Sequence, residues 1–238
     1  MKLHVLGMYG PYPAPGGATS GYLLRSGDTA VQLDLGAGTL APLTALYPPE
    51  QLTALVFSHW HSDHCSDALP LLYRLQALQA DLDVYGPADA ASPVRAALAA
   101  DARIRLHTIA PGDRLTLGGM ALQVYQARHP VPAVMLRLSD GDSTLCYTGD
   151  TNTVEALDAF AENADLLLAD GLFLQSQWSE AKPHLSALQC GELAERCGAR
   201  RLLVTHQSPE NDPQAILREA RQVFPGAQLA ACGQCIAL

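Results

Sequence analysis

Lysine is almost missing from this chain: Lys2 and Lys182 are the only two in 238 residues, and 15 basic side chains face 24 acidic ones, for a formal charge of −9. Affinity for phosphate backbones comes mainly from neutralisation by Lys and Arg, so this balance argues against a general nucleic-acid binder. No apolar run approaches the length of a membrane span. Residues 1–7 show no basic region followed by a long apolar core, so no signal peptide is expected and the protein is expected in the cytoplasm. No internal repeat, low-complexity segment or linker interrupts the chain, and one domain over residues 1–238 is the economical expectation. Six scattered cysteines argue against a disulfide framework. Cys232 and Cys235 form a lone CxxC without a second pair at zinc spacing. With 48% hydrophobic and 16% charged residues the chain reads as globular, not disordered.

Histidine, by contrast, is concentrated. Three of the eight histidines fall in Phe57-Ser58-His59-Trp60-His61-Ser62-Asp63-His64, where an apolar run stops and a helical pattern begins. In an extended segment alternate side chains share a face, so His59 and His61 can grip one metal together. Asp63 and His64 then serve something nearby. Clusters of imidazoles and carboxylates are metal or catalytic sites far more often than solvated turns.

Apolar periodicity and turn signals predict strands at 3–6, 22–25, 30–35, 52–57, 82–85, 104–108, 114–117, 120–126, 134–138, 144–148, 165–169 and 201–205. Helices are predicted along Ala68, Leu71, Leu72, Leu75 and Leu78, over 88–100, from Thr151 through Phe160, and from the capping-box pair Ser186 and Gln189 to Gly198. A last helix starts at Asp212-Pro213 and is closed by Pro225-Gly226. His59, His61, Asp63, His64, His129, Asp150 and His206 each lie at or just beyond a predicted strand end. Strand ends in a layered fold converge on one edge, and five imidazoles with two carboxylates suit two metals. Asp34, at another strand end before Gly36, is expected to brace a neighbouring loop and not to ligate. His107 has no second donor beside it and reads as structural or surface. The Gly- and Pro-rich stretch 7–21 reads either as a cover over the site or as a plain connector.

The HWHSDH of 59–64, the lone His129, Gly149-Asp150-Thr151 and Val204-Thr205-His206, in that order, resemble the metallo-β-lactamase superfamily. Lys182-Pro183-His184-Leu185-Ser186-Ala187 and Ala18-Thr19-Ser20-Gly21-Tyr22-Leu23 resemble its ribonuclease Z branch and that branch's bacterial relatives. The resemblance covers nearly the whole chain. It implies an α+β fold, an αββα sandwich of two mixed sheets face to face with helices outside. It further implies that His59, His61 and His129 hold one metal, that Asp63, His64 and His206 hold a second, and that Asp150 bridges them. Nitrogen and oxygen donors without a redox requirement favour Zn²⁺, with Mn²⁺ or Fe able to load the same pocket. Relatives in this branch are often dimeric, so the resemblance implies a homodimer.

Two cations about 3.5 Å apart lower the pKa of a shared water and give a bridging hydroxide at neutral pH, which implies a hydrolase. Asp63 is the candidate to orient or receive the proton of that water, and His184 to donate a proton or stabilise charge at the leaving oxygen. The chain departs from the branch where a glutamate is expected to support this histidine: Ala169-Asp170-Gly171-Leu172-Phe173 offers the shorter Asp170. Only 64 residues separate His64 from His129, with no long Gly- and Lys-rich insertion to clamp a transfer RNA. The expected substrate is therefore a small or nucleotide-derived phosphodiester. The alternatives are ribonuclease Z-type processing of transfer-RNA 3′ ends, a sulfate ester or lactone, and a metal-binding module without turnover.

Overall fold

The strand Thr29–Leu35 is buried along its whole length, with Val31 and Leu33 in one apolar cluster and Ala30 and Leu35 in another. A strand buried on both faces belongs inside a layered fold. The computed structural model describes residues 1–238. In chain order it contains β1 (Lys2–Gly7), β2 (Gly21–Ser26), β3 (Thr29–Leu35), α1 (Leu40–Leu46), β4 (Ala54–Val56), α2 (Ser62–Cys65), α3 (Ala68–Leu78), β5 (Leu82–Gly86), α4 (Pro93–Ala99), β6 (Ile104–Thr108) and β7 (Arg114–Leu117). There follow β8 (Met120–Gln126), β9 (Val134–Ser139), β10 (Thr144–Tyr147), α5 (Leu157–Ala161), β11 (Leu166–Asp170), α6 (Ala187–Arg196), β12 (Leu202–Thr205), α7 (Pro213–Arg221), β13 (Gln228–Leu229) and β14 (Cys235–Ala237).

Two seven-stranded sheets result, in the orders β14-β1-β2-β3-β4-β5-β6 and β13-β12-β11-β10-β9-β8-β7. Residues of both sheets, among them Val31, Leu33, Leu122, Leu136 and Leu168, fill the space between them. Separate clusters lie under α1, α3 and α4 on one outer face and under α5 to α7 on the other. This is the α+β, αββα sandwich expected from the sequence. The two sheets follow one plan. Each is antiparallel up to β3 or β10 and parallel beyond it, through β6 or β13. Each parallel step needs a crossover, and helices α1 to α7 supply them. No sequence repeat announces this duplication of topology.

Local chemistry explains where the helices start. Ser186 accepts from Gln189 N while Gln189 Oε1 accepts from Ser186 N, the predicted capping box of α6. Asp212 caps α7 ahead of Pro213. Three boundaries differ from expectation. The helix predicted over 88–100 begins only at Pro93, because Ser92 is its N-cap and accepts from Arg95 N. The helix predicted from Thr151 shrinks to α5, because Thr151 and Asn152 turn their hydrogen-bonding groups to other segments. The strand predicted over 52–57 is reduced to β4, although Thr53 N and Phe57 N still bond to Ala30 O and Tyr85 O on either side. Helix α1 and the edge strands β13 and β14 had no predicted counterpart. No helix is long and apolar enough to cross a membrane.

His107 is exposed on β6, bonded to Asp83 and stacked on Tyr85, a surface role. Cys65, Cys146, Cys190 and Cys197 are buried, while Cys232 and Cys235 are exposed near the C-terminus.

Candidate metal centre

The parallel half of each sheet points its C-terminal strand ends at the same edge, the usual location of sites in parallel sheets. Asp34 sits at the end of β3, the histidine cluster follows β4, Asp150 follows β10, Asp170 ends β11 and His206 follows β12. His129 arrives from the loop between β8 and β9. All seven residues expected to ligate meet here, in two groups. In the first, His61 Nδ1 lies 3.1 Å from His59 Nε2 and 3.0 Å from His129 Nε2. In the second, His206 Nε2 lies 3.1 Å from Asp63 Oδ2, and His64 Nε2 lies 3.7 Å from the same oxygen. Asp150 stands between them with one oxygen toward each. Its Oδ2 is 3.6 Å from His59 Nε2, and its Oδ1 is 3.1 Å from His64 Nε2 and 3.4 Å from His206 Nε2.

The groups differ in depth and support. His59, His64, Asp63, Asp150 and His206 are buried, whereas His61 and His129 reach the surface in part. His59 Nδ1 bonds to Ser58 Oγ at 3.1 Å and His129 Nδ1 to Pro183 O at 3.3 Å, which fixes the tautomers that leave Nε2 free in both rings. His64 Nδ1 instead donates to a carboxylate, Asp34 Oδ2, at 2.7 Å. Asp34 is the brace expected from sequence. It also accepts from Ser58 N, Ser58 Oγ and, across the sandwich from β10, the Tyr147 hydroxyl at 2.6 Å. Burial and the Asp34 charge push the Tyr147 phenol up, which keeps it a donor.

Asp34 and His206 both adopt left-handed backbone conformations, with φ of 51° and 53°. Such strain in non-glycine residues persists where the surroundings over-determine it, as at functional sites. Gly10 is needed for a different reason. A Cβ there would fall 1.9 Å from His206 Nε2, inside the space that the second group surrounds. The N-terminal loop therefore does cover the site, held by Ser20 N to Asp63 O and Gln207 N to Met8 O.

Charge separates the groups further. Burial, reinforced by the charge of His64, pushes His59 well below the usual histidine range, and burial likewise lowers His61 and His129. These imidazoles are neutral, the form that binds metal. Burial also opposes charge on His64 and His206, but here carboxylates override it. Asp150, Asp63 and Asp34 raise His64 well above its ordinary value, and Asp150 with Asp170 and Asp63 raises His206 to about 10. The reverse effect holds Asp150 well below the carboxylate range despite burial, through His206, His64 and His59.

The donors present fit divalent metal ions. Nitrogen and carboxylate oxygen atoms converge in three overlapping sets that all share Asp150, the two donor groups already described and a third of Asp170, His184 and His206, with all ligand atoms of a set within 4.8 Å of one another. His64 Nε2 and Asp150 Oδ1 are buried without a hydrogen-bond partner. Buried polar atoms in this state demand an explanation, and a bound cation supplies one.

His184 joins the edge beside this centre. Its ring stacks on His206 with centroids 5.0 Å apart, and its Nδ1 donates to Asp170 Oδ2 at 2.7 Å. The shorter carboxylate thus keeps its contact with the histidine. Asp170 also places Oδ1 3.4 Å from His206 Nδ1. The segment 178–183 that carries His184 is held down by Asn152, a residue without any sequence signal. The Asn152 amide donates to the carbonyls of Ser179, Glu180 and Lys182, and its Oδ1 accepts from Trp178 Nε1 at 3.1 Å. Arg128 adds a bond to Glu180 O at 2.8 Å. Ser58, Tyr147 and Gly10 were equally invisible in the sequence, since their roles depend on partners dozens of positions away.

A family model described as the beta-lactamase superfamily domain matches residues 28–207. A probable metallo-hydrolase of Bacillus subtilis, YhfI, is 33% identical over 232 residues, 95% of either chain. Its crystal structure superposes with a TM-score of 0.93 over 99% of this chain and 98% of that one. A ribonuclease Z from a Mycobacterium species (strain KMS) is 28% identical over 90% of this chain and 86% of its own length. The short form of human tRNase Z has the same fold, with a TM-score of 0.82 at 20% identity, covering 100% of this chain and 99% of that one.

Proposed function

Because the chain belongs to the metallo-β-lactamase superfamily, whose metal-dependent hydrolases it resembles along its length, we propose that it is a dinuclear phosphodiesterase acting on a small or nucleotide-derived phosphodiester. The observation that carries this reading is the placement of Asp150, one oxygen toward each donor group. On this reading His59, His61 and His129 hold one divalent ion and Asp63, His64 and His206 the other, with Asp150 shared and Zn²⁺ the favoured metal. When bound, such a pair supplies the Lewis acidity that makes water nucleophilic at neutral pH and offsets charge on the phosphoryl oxygens.

The chain's own residues do the rest. Asp63 Oδ2, close to His206 Nε2, orients the attacking water and can receive its proton. His184 donates Nδ1–H to Asp170 and so turns Nε2 toward the leaving oxygen, which it protonates as the P–O bond breaks. Burial opposes the Asp170 charge, but His184 and His206 together hold its carboxyl below the ordinary range, so it stays an acceptor for His184 Nδ1–H. A ribonuclease Z is among the relatives, but the net charge of −9 and the two lysines leave little to hold a large RNA.

Metal-loaded protein is expected to hydrolyse bis(p-nitrophenyl) phosphate. Asp150→Ala should abolish turnover, and His184→Ala should lower kcat roughly 100-fold with metal content retained. A metal-loaded protein inactive on phosphodiesters but active on sulfate esters or lactones would overturn the reading. Cleavage of precursor transfer RNA at physiological salt would favour the ribonuclease.

A further inference from the structure

Beside the centre lies a cavity of about 450 Å³ with walls from four segments: Pro11 and Tyr12, Leu172 and Phe173, Lys182, and Ser208. Each wall is close in sequence to the centre. Pro11 follows Gly10, which abuts His206; Ser208 lies two residues beyond His206; Leu172 two beyond Asp170; Lys182 two before His184. The Phe173 ring stands edge-on to the His184 ring, with centroids 5.7 Å apart. A group attached to the leaving oxygen beside His184 would therefore extend toward this cavity.

The polar side chains around the cavity already have partners. Asn211 donates to Leu172 O at 2.8 Å and accepts from Gln177 Nε2 at 2.9 Å, while Gln177 Oε1 accepts from Leu174 N. The Tyr12 hydroxyl donates to Glu210 at 2.8 Å, and Ser208 Oγ accepts from Glu210 N. What remains available is flat and apolar. Tyr12, 47% exposed, and Phe173 offer aromatic surface, and Leu172 backs them. Two charges complete the wall: the Glu210 carboxylate, which accepts from the Tyr12 hydroxyl, and the Lys182 ammonium, which lies 4.4 Å from the Phe173 centroid and bonds to Gln177 O, without a carboxylate partner of its own.

We propose that this cavity is the subsite for a planar aromatic or heteroaromatic ring on the leaving alcohol of the phosphoryl ester. Phe173 and Tyr12 hold the ring by stacking, and Lys182 attracts the ester's negative charge. Because the neighbouring amides are spent on one another, the subsite selects for a ring without reading its hydrogen-bonding edge. The proposal rests on the phosphodiesterase reading, and it can be tested apart from it by binding.

In calorimetry on the metal-loaded protein, phenyl phosphate is expected to bind roughly tenfold more tightly than methyl phosphate, the range that aromatic stacking supports. Phe173→Ala should collapse that ratio toward one, and so should Tyr12→Ala, an exposed loop position whose loss leaves the core intact. Adenosine and uridine 5′-monophosphates should bind within about fivefold of each other. Equal affinity for phenyl and methyl phosphate, or a preference that survives both substitutions, would overturn the subsite. So would a hundredfold preference for one base. Should the phenyl preference be present while no phosphodiester is turned over, the proposed function fails and the ring subsite stands.

Discussion

The two donor groups around Asp150 are built on opposite principles. His59 and His129 are held by a hydroxyl and a backbone carbonyl, His61 and His129 reach the surface in part, and all three rings are neutral before any metal arrives. His64 and His206 are buried against Asp34, Asp63, Asp150 and Asp170, and carry protons in metal-binding positions. Carboxylates behind a ligating histidine raise its basicity and fix its orientation, so the deep group is the stronger ligand set once deprotonated. The shallow group is the readier one. On the proposed dinuclear reading, metal affinity and ease of loading are thus divided between the two donor groups.

The sharpest way to break this contrast is Asp34→Ala. It leaves Ser58 N, Ser58 Oγ, His64 Nδ1 and Tyr147 Oη without their acceptor in a buried place. We expect a loss of about 3–5 kcal/mol in urea denaturation and a fall from two ions per chain to one by elemental analysis. Two ions retained in this variant would erase the distinction between the groups.

Protons offer a second test. Zn²⁺ entering the deep group near neutral pH should expel about two protons, and Zn²⁺ entering the shallow group about none, measured by calorimetry in buffers of different ionisation heat. The same charges govern the metal-free fold. His206 is raised from 6.5 in the unfolded chain to about 10, so its contribution is complete below pH 6.5 and is lost as pH climbs through 10. The metal-free protein should accordingly drop in Tm by roughly 5–10 °C over that window. A flat profile would count against the buried charge network. The smallest expected effect belongs to Tyr147→Phe, which removes one of the four donors on Asp34 and should cost about 1 kcal/mol with metal content unchanged. Loss of an ion in Tyr147→Phe would mean that Asp34 depends on its partner in the opposite sheet far more than three remaining bonds imply.

Much of this centre could be read before any coordinates. The spacing of His59, His61, Asp63 and His64 declares a metal, and the strand-end positions of His129, Asp150 and His206 place them at the same edge. Asp34 was legible as a brace because a carboxylate at a strand end ahead of a glycine has few other uses. What stayed hidden has a common cause. Tyr147 reaches Asp34 across 113 positions, and Asn152 reaches the 178–183 segment across about thirty, pairings that no local pattern encodes. The seven residues of α1 and the two of β13 are too short to show a period of their own and exist because the sandwich packs around them.

Apart from one bond to the Trp178 side chain, the grip of Asn152 on the segment before His184 is made to backbone carbonyls, those of Ser179, Glu180 and Lys182. Main-chain oxygen is present whatever residue occupies a position. Residues 179–182 can therefore change identity, and with them one wall of the neighbouring cavity, while the loop keeps its path and His184 its aim. On the proposed reading, substrate preference can in this way be engineered in a loop whose path is held by the Asn152 amide and the Arg128 guanidinium, with the residues of the metal centre left untouched.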